Sequence, residues 1–140
     1  MKRTILTLCL SVLTLALVAH AADEPSKKDN TPPEGYTALF NGHDLEGWKG
    51  LMDPKKHLDN QIERAKLSPE ERQKAQAEAD EDMHKHWSVK DGVIVFDGKG
   101  RSLCTAKDYG DFEMYVDWKI SPGGDSGIYL RGTPQVQIWD

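Results

Sequence analysis

The chain has 140 residues, with 18 Lys and Arg against 23 Asp and Glu and a formal net charge of −5. It carries no basic cluster, which excludes the electrostatic footprint of a nucleic-acid binder or of a protein drawn to anionic lipid. Cys9 and Cys104 are its 2 cysteines, so it is not a disulfide scaffold.

Met1-Lys2-Arg3 forms a short positive start, and Ile5 to Val18 is nearly unbroken apolar sequence. Ala19-His20-Ala21 then supplies a small-x-small exit, followed by acid at Asp23 and Glu24. This order predicts a secretory signal peptide over residues 1–21, cleaved after Ala21. The apolar run falls short of the roughly 18 to 20 residues of a spanning helix. Cys9 lies inside that run rather than at the exit, so it does not mark a lipoprotein. Cleavage leaves 119 residues, a net charge of −7 and Cys104 as the remaining cysteine, so no intrachain disulfide is available. A secreted or periplasmic protein is expected, without a membrane partner once the leader is gone.

Residues 22–35 are polar and rich in Lys, Asp and Pro, and read as a flexible linker. The domain is expected over 36–140. Tyr36–Phe40 predicts a short strand closed by Asn41-Gly42, with Leu45 and Trp48 packing inward after a bend at Gly47. Residues 53–86 lack Gly and predict two helices, about 54–66 and 69–84. Asp53-Pro54 starts the first, whose stripe is Leu58, Ile62 and Ala65. Ser68-Pro69-Glu70-Glu71 is a capping box for the second. Its apolar side is mostly Ala75, Ala77, Ala79 and Met83, a weak face that predicts a surface insertion.

After His86 the period changes to two. Trp87–Lys90 and Val93–Phe96 flank Asp91-Gly92, a strong hairpin signal. Ser102–Thr105 predicts a short strand. Phe112–Ile120 alternates, with Phe112, Met114, Val116, Trp118 and Ile120 opposite Glu113, Tyr115, Asp117 and Lys119. Gly127–Arg131 and Gln135–Trp139 predict the last two strands. Short strands with Gly-rich turns indicate an all-β sandwich. Two packed sheets need about seven strands or more. The predicted strands fall short of that, so the chain reads as the N-terminal part of a longer protein.

If one sheet face is concave, Glu113, Tyr115, Asp117, Tyr129, Arg131, Gln135 and Gln137 line one polar groove edged by aromatics. Amides and carboxylates there would bond sugar hydroxyls, and rings would stack on C–H surfaces. The same alternation also fits a solvated outer face. His43, His57, His84 and His86 lack a third ligand in range and read as surface histidines rather than a zinc site. Cys104 reads as a small apolar filler. Asp125-Ser126-Gly127 is not a nucleophile elbow, which argues against a serine hydrolase.

Four segments carry a family resemblance: Leu39–Trp48 (LFNGxDLxGW), Trp87–Ile94 (WxVxDGxI), Tyr109–Glu113 with Asp117-Trp118, and Gly123–Arg131. Over 36–140 the chain resembles the 3-keto-disaccharide hydrolase domain family. The resemblance implies a concanavalin-like jelly roll in exported proteins that cleave 3-keto-glycosides. There a C3 ketone acidifies the C2 proton, a base removes it, and the glycosidic group leaves by β-elimination before water adds. This needs a base, an acid for the leaving oxygen, and an electrophile such as a divalent metal to hold the enolate.

The residues that fall in family motifs are Glu113, Asp117, Asp125, Ser126, Arg131, Gln135, Gln137 and Asp140. Arg131, Asp125 and Glu113 are the expected catalytic set: Arg131 steadies the enolate or a hydroxyl, and Asp125 or Glu113 helps position substrate. Asp117, Tyr129, Gln135 and Gln137 are expected to bind it. The resemblance implies a Glu in many relatives where Gln135 stands, and a neutral amide is no base at neutral pH. A non-catalytic carbohydrate-binding jelly roll is the alternative. Both readings name a carbohydrate as the partner and exclude nucleic acid.

Overall fold

A computed structural model describes residues 30–132 and 134–140; the predicted signal peptide and residues 22–29 of the predicted linker lie outside them. In chain order the elements are β1 (Trp48–Gly50), a 3-10 turn (Pro54–Lys56), α1 (Gln61–Ala65) and α2 (Pro69–His86), then β2 (Trp87–Lys90) and β3 (Val93–Phe96). They continue with β4 (Leu103–Thr105), β5 (Asp125–Tyr129) and β6 (Gln135–Trp139). The strands pair antiparallel as β1–β4, β2–β3 and β5–β6. Small sheets with few helices are compatible with a β-sandwich. No helix among the described residues is long and apolar enough to cross a membrane.

The predicted strand Tyr36–Phe40 is not paired among the described residues. Tyr36 instead closes a turn, donating its N–H to the Pro33 carbonyl at 3.0 Å. The following loop is held by side chains. Asn41 Oδ1 accepts from the His43 and Asp44 amides at 2.8 and 3.0 Å, and Asn41 Nδ2 donates to Asp44 Oδ1 at 2.7 Å. Asp44 Oδ1 also accepts from the Glu46 amide at 2.9 Å. The Asn41 amide and then the Glu46 N–H hold the Asp44 carboxyl below its ordinary range. Asn41 and Asp44 thus shape the loop that delivers Trp48 to β1.

The helix predicted over 54–66 is broken, and the cause is local. Asp53 caps the 3-10 turn by accepting from the Lys55 amide, and His57 ends it in the left-handed region at φ 59°. Asn60 then caps a separate α1 by accepting from the Ile62 amide at 2.8 Å. Short polar side chains bonding their own backbone compete with a continuous helix.

The second helix forms as its capping box predicts. Glu71 N–H donates to Ser68 Oγ at 3.2 Å, and Ser68 N–H donates to Glu71 Oε2 at 2.9 Å. Its expected shallow packing is corrected. Ala79 is 0 % exposed and Met83 is buried, and Ala79 joins Met52 and Leu58 in a small core that Leu67 and Ala75 cover. Close approach replaces a broad apolar stripe here. A Cβ on Gly50 would lie 2.0 Å from the Ala79 carbonyl oxygen, so only glycine lets β1 touch the α2 backbone. Gly50 N–H donates to Asp80 Oδ1 at 2.9 Å, and Gln76 Nε2 donates to the Gly50 carbonyl at 3.0 Å. These side chains satisfy the strand edge that α2 covers.

The β2–β3 hairpin has the predicted register, Trp87 opposite Phe96 through Lys90 opposite Val93. Asp91 and Gly92 both take positive φ, 52° and 77°, as a type I′ turn demands. Trp87 stacks on Phe96 at 4.3 Å and donates Nε1–H to the Arg101 carbonyl at 2.8 Å. Residues 112–120, predicted as a strand, have no ladder partner among the described residues, and Phe112, Val116 and Trp118 are exposed.

Candidate functional site

The β5–β6 hairpin carries three residues of the predicted groove, Tyr129, Gln135 and Gln137. Its register sets Asp125 opposite Trp139, Gly127 opposite Gln137 and Tyr129 opposite Gln135. Alternation puts these six on one face, and Ser126, Ile128, Val136 and Ile138 on the other. Ile138 is buried on that second face. Tyr129, Gln135 and Gln137 therefore share a face, and Asp125, which lies before the predicted strand, joins them because β5 starts two residues earlier. Ser126 stands on the opposite side.

Two contacts fix the polar face. Gln137 Nε2 donates to Asp125 Oδ1 and, at 2.9 Å, to the Ser126 carbonyl. Gln135 lies across Gly127, where a Cβ would come 2.0 Å from Gln135 Nε2. A side chain at Gly127 would have to push the flexible end of Gln135 aside. At the strand end, Asp140 Oδ2 accepts from the Gly123 amide at 2.9 Å, which ties the Pro122-Gly123 turn to β6.

Arg131 departs from the sequence expectation. The predicted strand Gly127–Arg131 begins and ends two residues earlier, and Arg131 sits in the turn at φ 53°, followed by Gly132 at φ 86°. Its guanidinium faces Asp111, Nη2 to Oδ1 at 3.8 Å, with both side chains in water. Such a pair contributes little to stability, so the guanidinium remains available to a ligand at the turn end of the hairpin.

Glu113 and Tyr115 form a second cluster. The Tyr115 hydroxyl donates to Glu113 Oε1 at 2.8 Å, and Tyr36 meets Tyr115 edge to face with ring centroids 5.1 Å apart. Hydrogen bonds from Tyr36 first and Tyr115 second lower the Glu113 pKa, and the same carboxylate raises that of Tyr36. Glu113 is therefore a good ionised acceptor and a poor base. Among the described residues no hydrogen bond or ion pair joins this cluster to the hairpin face. Asp117 is exposed on the unpaired segment between them.

Sequence reasoning missed Tyr36, taken there as a strand residue, and Trp139, taken there as a strand end. Trp139 was legible, since it continues the row Gln135, Gln137 at the next alternate position. Tyr36 was not, because nothing local announces a contact 79 residues away. The open space bounded by the described segments measures ≈ 4000 Å³. A ligand pocket is about 300–1,000 Å³, so the hairpin contacts, not the cavity, localise the site.

A further set of titratable groups closes the end of α2. His86 Nδ1 lies 3.0 Å from Asp97 Oδ2, and Asp82 Oδ2 accepts from Arg101 N and Nε at 3.0 and 3.2 Å, clamping the end of α2. His86 first, then the Lys99 amide, lowers the Asp97 pKa. Burial pushes the Cys104 thiol up, away from the thiolate form. Among the described residues no three of His, Cys, Asp and Glu converge as a metal centre.

A sequence profile for the 3-keto-α-glucoside-1,2-lyase-like domain matches residues 35–140. The chain belongs to this family. It is also 25% identical over 118 residues to a 3-keto-disaccharide hydrolase of Bacteroides thetaiotaomicron. That alignment covers 78% of this chain and 31% of the relative, so the chain spans about a third of the hydrolase it matches. No solved structure matches the chain with significance. The lyase-like family match contains both the Asn41–Asp44 loop and the whole β5–β6 hairpin. Of these, Asn41 and Asp44 build structure, and the hairpin presents polar groups outward.

Proposed function

We propose that the hairpin face forms one wall of a 3-keto-glycoside-cleaving site in an exported, secreted or periplasmic protein with a concanavalin-like jelly-roll fold. One observation carries the reading: inside the family-matched segment, Asp125 and Gln137 lock each other on a face bracketed by Tyr129 and Trp139. Such a face suits a sugar. In the reaction the C2–H bond breaks, a C1–C2 double bond forms, and the C1–O bond breaks as a proton reaches the leaving oxygen. Water then adds across the double bond to release the 3-keto sugar.

In this scheme Arg131 stabilises the oxyanion that develops at the C3 oxygen. Asp125 and Glu113 position hydroxyls as ionised acceptors, and Asp117, Tyr129, Gln135 and Gln137 bind the rings. The base is assigned to none of them. Gln135 is an amide, and two tyrosine hydroxyls hold Glu113 ionised.

The test is incubation of the protein with a 3-keto-disaccharide, with and without chelator, followed by assay of the released sugar. Release is expected, and an Arg131→Ala variant should lose about 100-fold in rate. Wild-type rate in that variant would remove the role given to Arg131. Loss of release with chelator, restored by a divalent cation, supports a metal electrophile. The absence of an assigned base on this face favours a second reading, a non-catalytic carbohydrate-binding module. Sugar binding without release under any condition would establish that reading over the enzyme.

A further inference from the structure

Asn41 is the one asparagine of the chain followed by glycine; Asn30 precedes Thr31 and Asn60 precedes Gln61. An Asn-Gly pair carries chemistry of its own. The glycine amide nitrogen can attack the side-chain carboxamide carbon, because no Cβ on the next residue crowds the approach. A new N–C bond forms, the bond from that carbon to the side-chain nitrogen breaks, and ammonia leaves with the proton of the backbone amide. A five-membered cyclic imide remains. Water then opens the ring at either carbonyl and leaves Asp or its β-linked isomer.

The nucleophile is free in this loop and the carboxamide is not. Asn41 is exposed, Gly42 takes φ 80°, and among the described residues no acceptor holds the Gly42 N–H. Asn41 Oδ1, by contrast, accepts from the His43 and Asp44 amides at 2.8 and 3.0 Å, while Nδ2 donates to Asp44 Oδ1 at 2.7 Å. Two donors at one atom and a carboxylate at the other settle which is oxygen and which nitrogen. Nδ2 is the atom that departs, so ring closure must first break the Asp44 contact. The product fits worse still. A carboxylate at position 41 has no N–H to give, so two anions would stand where the hydrogen bond stood. Asp44 also accepts from the Glu46 amide at 2.9 Å, and the Trp48 amide donates to the Leu45 carbonyl at 3.0 Å. Damage at Asn41 therefore reaches the entry to β1.

We infer that Asn41 is a latent self-modification site, closed to imide formation by its hydrogen bond to Asp44, and that its conversion to Asp dismantles the loop leading to Trp48. The lock is the acceptor at position 44, not the charge there.

Peptide mass spectrometry on the full chain, incubated in mildly alkaline buffer, measures the conversion rate. A free peptide of sequence 39–48 supplies the unlocked reference. With three hydrogen bonds to break, the folded chain should convert about 100-fold more slowly than the peptide. Asp44→Ala should convert about tenfold faster than wild type. Asp44→Asn, whose amide oxygen can accept the same bonds, should stay within about threefold of wild type. Unchanged hydrogen exchange in the Ala79–Met83 part of α2 would show that the Asp44→Ala acceleration is local rather than global unfolding. Wild-type protein that converts as fast as the peptide, Asp44→Ala no faster than wild type, or Asp44→Asn as fast as Asp44→Ala would overturn the lock. Asn41→Asp reads the consequence: exchange at the Glu46 and Trp48 amides should rise about tenfold. Wild-type exchange at both in that variant would overturn the coupling to β1.

Discussion

Between Trp48 and Thr105 the chain buries Met52, Leu58, Ala79 and Met83; between Asp111 and Asp140 the described residues bury Ile138 alone. The second region is no poorer in large apolar side chains, since Phe112, Val116, Trp118, Val136 and Trp139 all lie there and are exposed. What differs is how backbone groups are met. In the first region a helix and a strand approach closely enough for Gln76 and Asp80 to satisfy the Gly50 amide and carbonyl. In the second, a two-stranded hairpin satisfies its own ladder, and residues 112–120 pair with nothing described. A lone two-stranded hairpin is marginal in water. Stability is therefore expected to reside in the α2 region, and ligand contact in the hairpin.

The sharpest way to break that contrast is Gly50→Ala. The new Cβ would sit 2.0 Å from the Ala79 carbonyl oxygen, which is backbone and cannot step aside. Overpacking of this kind costs about 3 kcal/mol. Urea denaturation followed by circular dichroism should register that loss, largely as undocking of α2. A cost under about 0.5 kcal/mol, the range of ordinary surface changes, would mean that the Ala79–Gly50 contact does not hold the region together.

A smaller effect is expected at the start of the same helix. Ser68→Ala removes one half of the capping box and should cost about 1 kcal/mol. The cap also gives the region a pH signature. The Glu71 carboxyl is lowered first by the Ser68 amide and then by the Ser68 hydroxyl. A lowered folded-state pKa means that this stabilisation is present above the ordinary Glu value, about pH 4.3, and is lost as the pH falls below it. Thermal melts from pH 7 down to pH 3 should show the wild-type advantage over Glu71→Ala shrinking toward the acid end. An advantage that stays constant with pH would remove Glu71 from the cap.

The two regions were also unequally legible in the sequence. Wherever a local rule decides the outcome, the reading held: Ser68 with Glu71 started a helix, and Asp91-Gly92 turned a hairpin. The alternation around Gln135 and Gln137 set both glutamines on one face, with Tyr129; Asp125 joined them only because β5 starts earlier than the pattern suggested. The first helix was defeated in its middle, where His57 turns left-handed and Asn60 bonds the Ile62 amide that a continuous helix would have used. The docking of α2 was hidden for a different reason. Its face is alanine and its partner is glycine, so the contact rests on closeness rather than apolar bulk. Tyr36 beside Glu113 was hidden because tertiary proximity leaves no periodic trace. Arg131 was misplaced by two residues of strand length, which moved it from the face to the turn.

The smallest expected effect tests the exposed side of the contrast. Trp118 is 61% exposed on the segment without a ladder partner. A side chain that water already covers contributes little to folding, so Trp118→Thr should change stability by no more than about 0.5 kcal/mol. The substitution keeps a β-branched residue, so extended backbone remains favourable, and the comparison isolates the indole. It removes the largest member of an apolar row that also includes Phe112 and Val116, and contiguous exposed apolar surface promotes association. Solubility at high protein concentration should therefore rise while the urea midpoint stays fixed. A loss above about 2 kcal/mol would place Trp118 in a packed environment in solution. Burial at both ends of the chain would then replace the contrast between a stable α2 region and an open hairpin region.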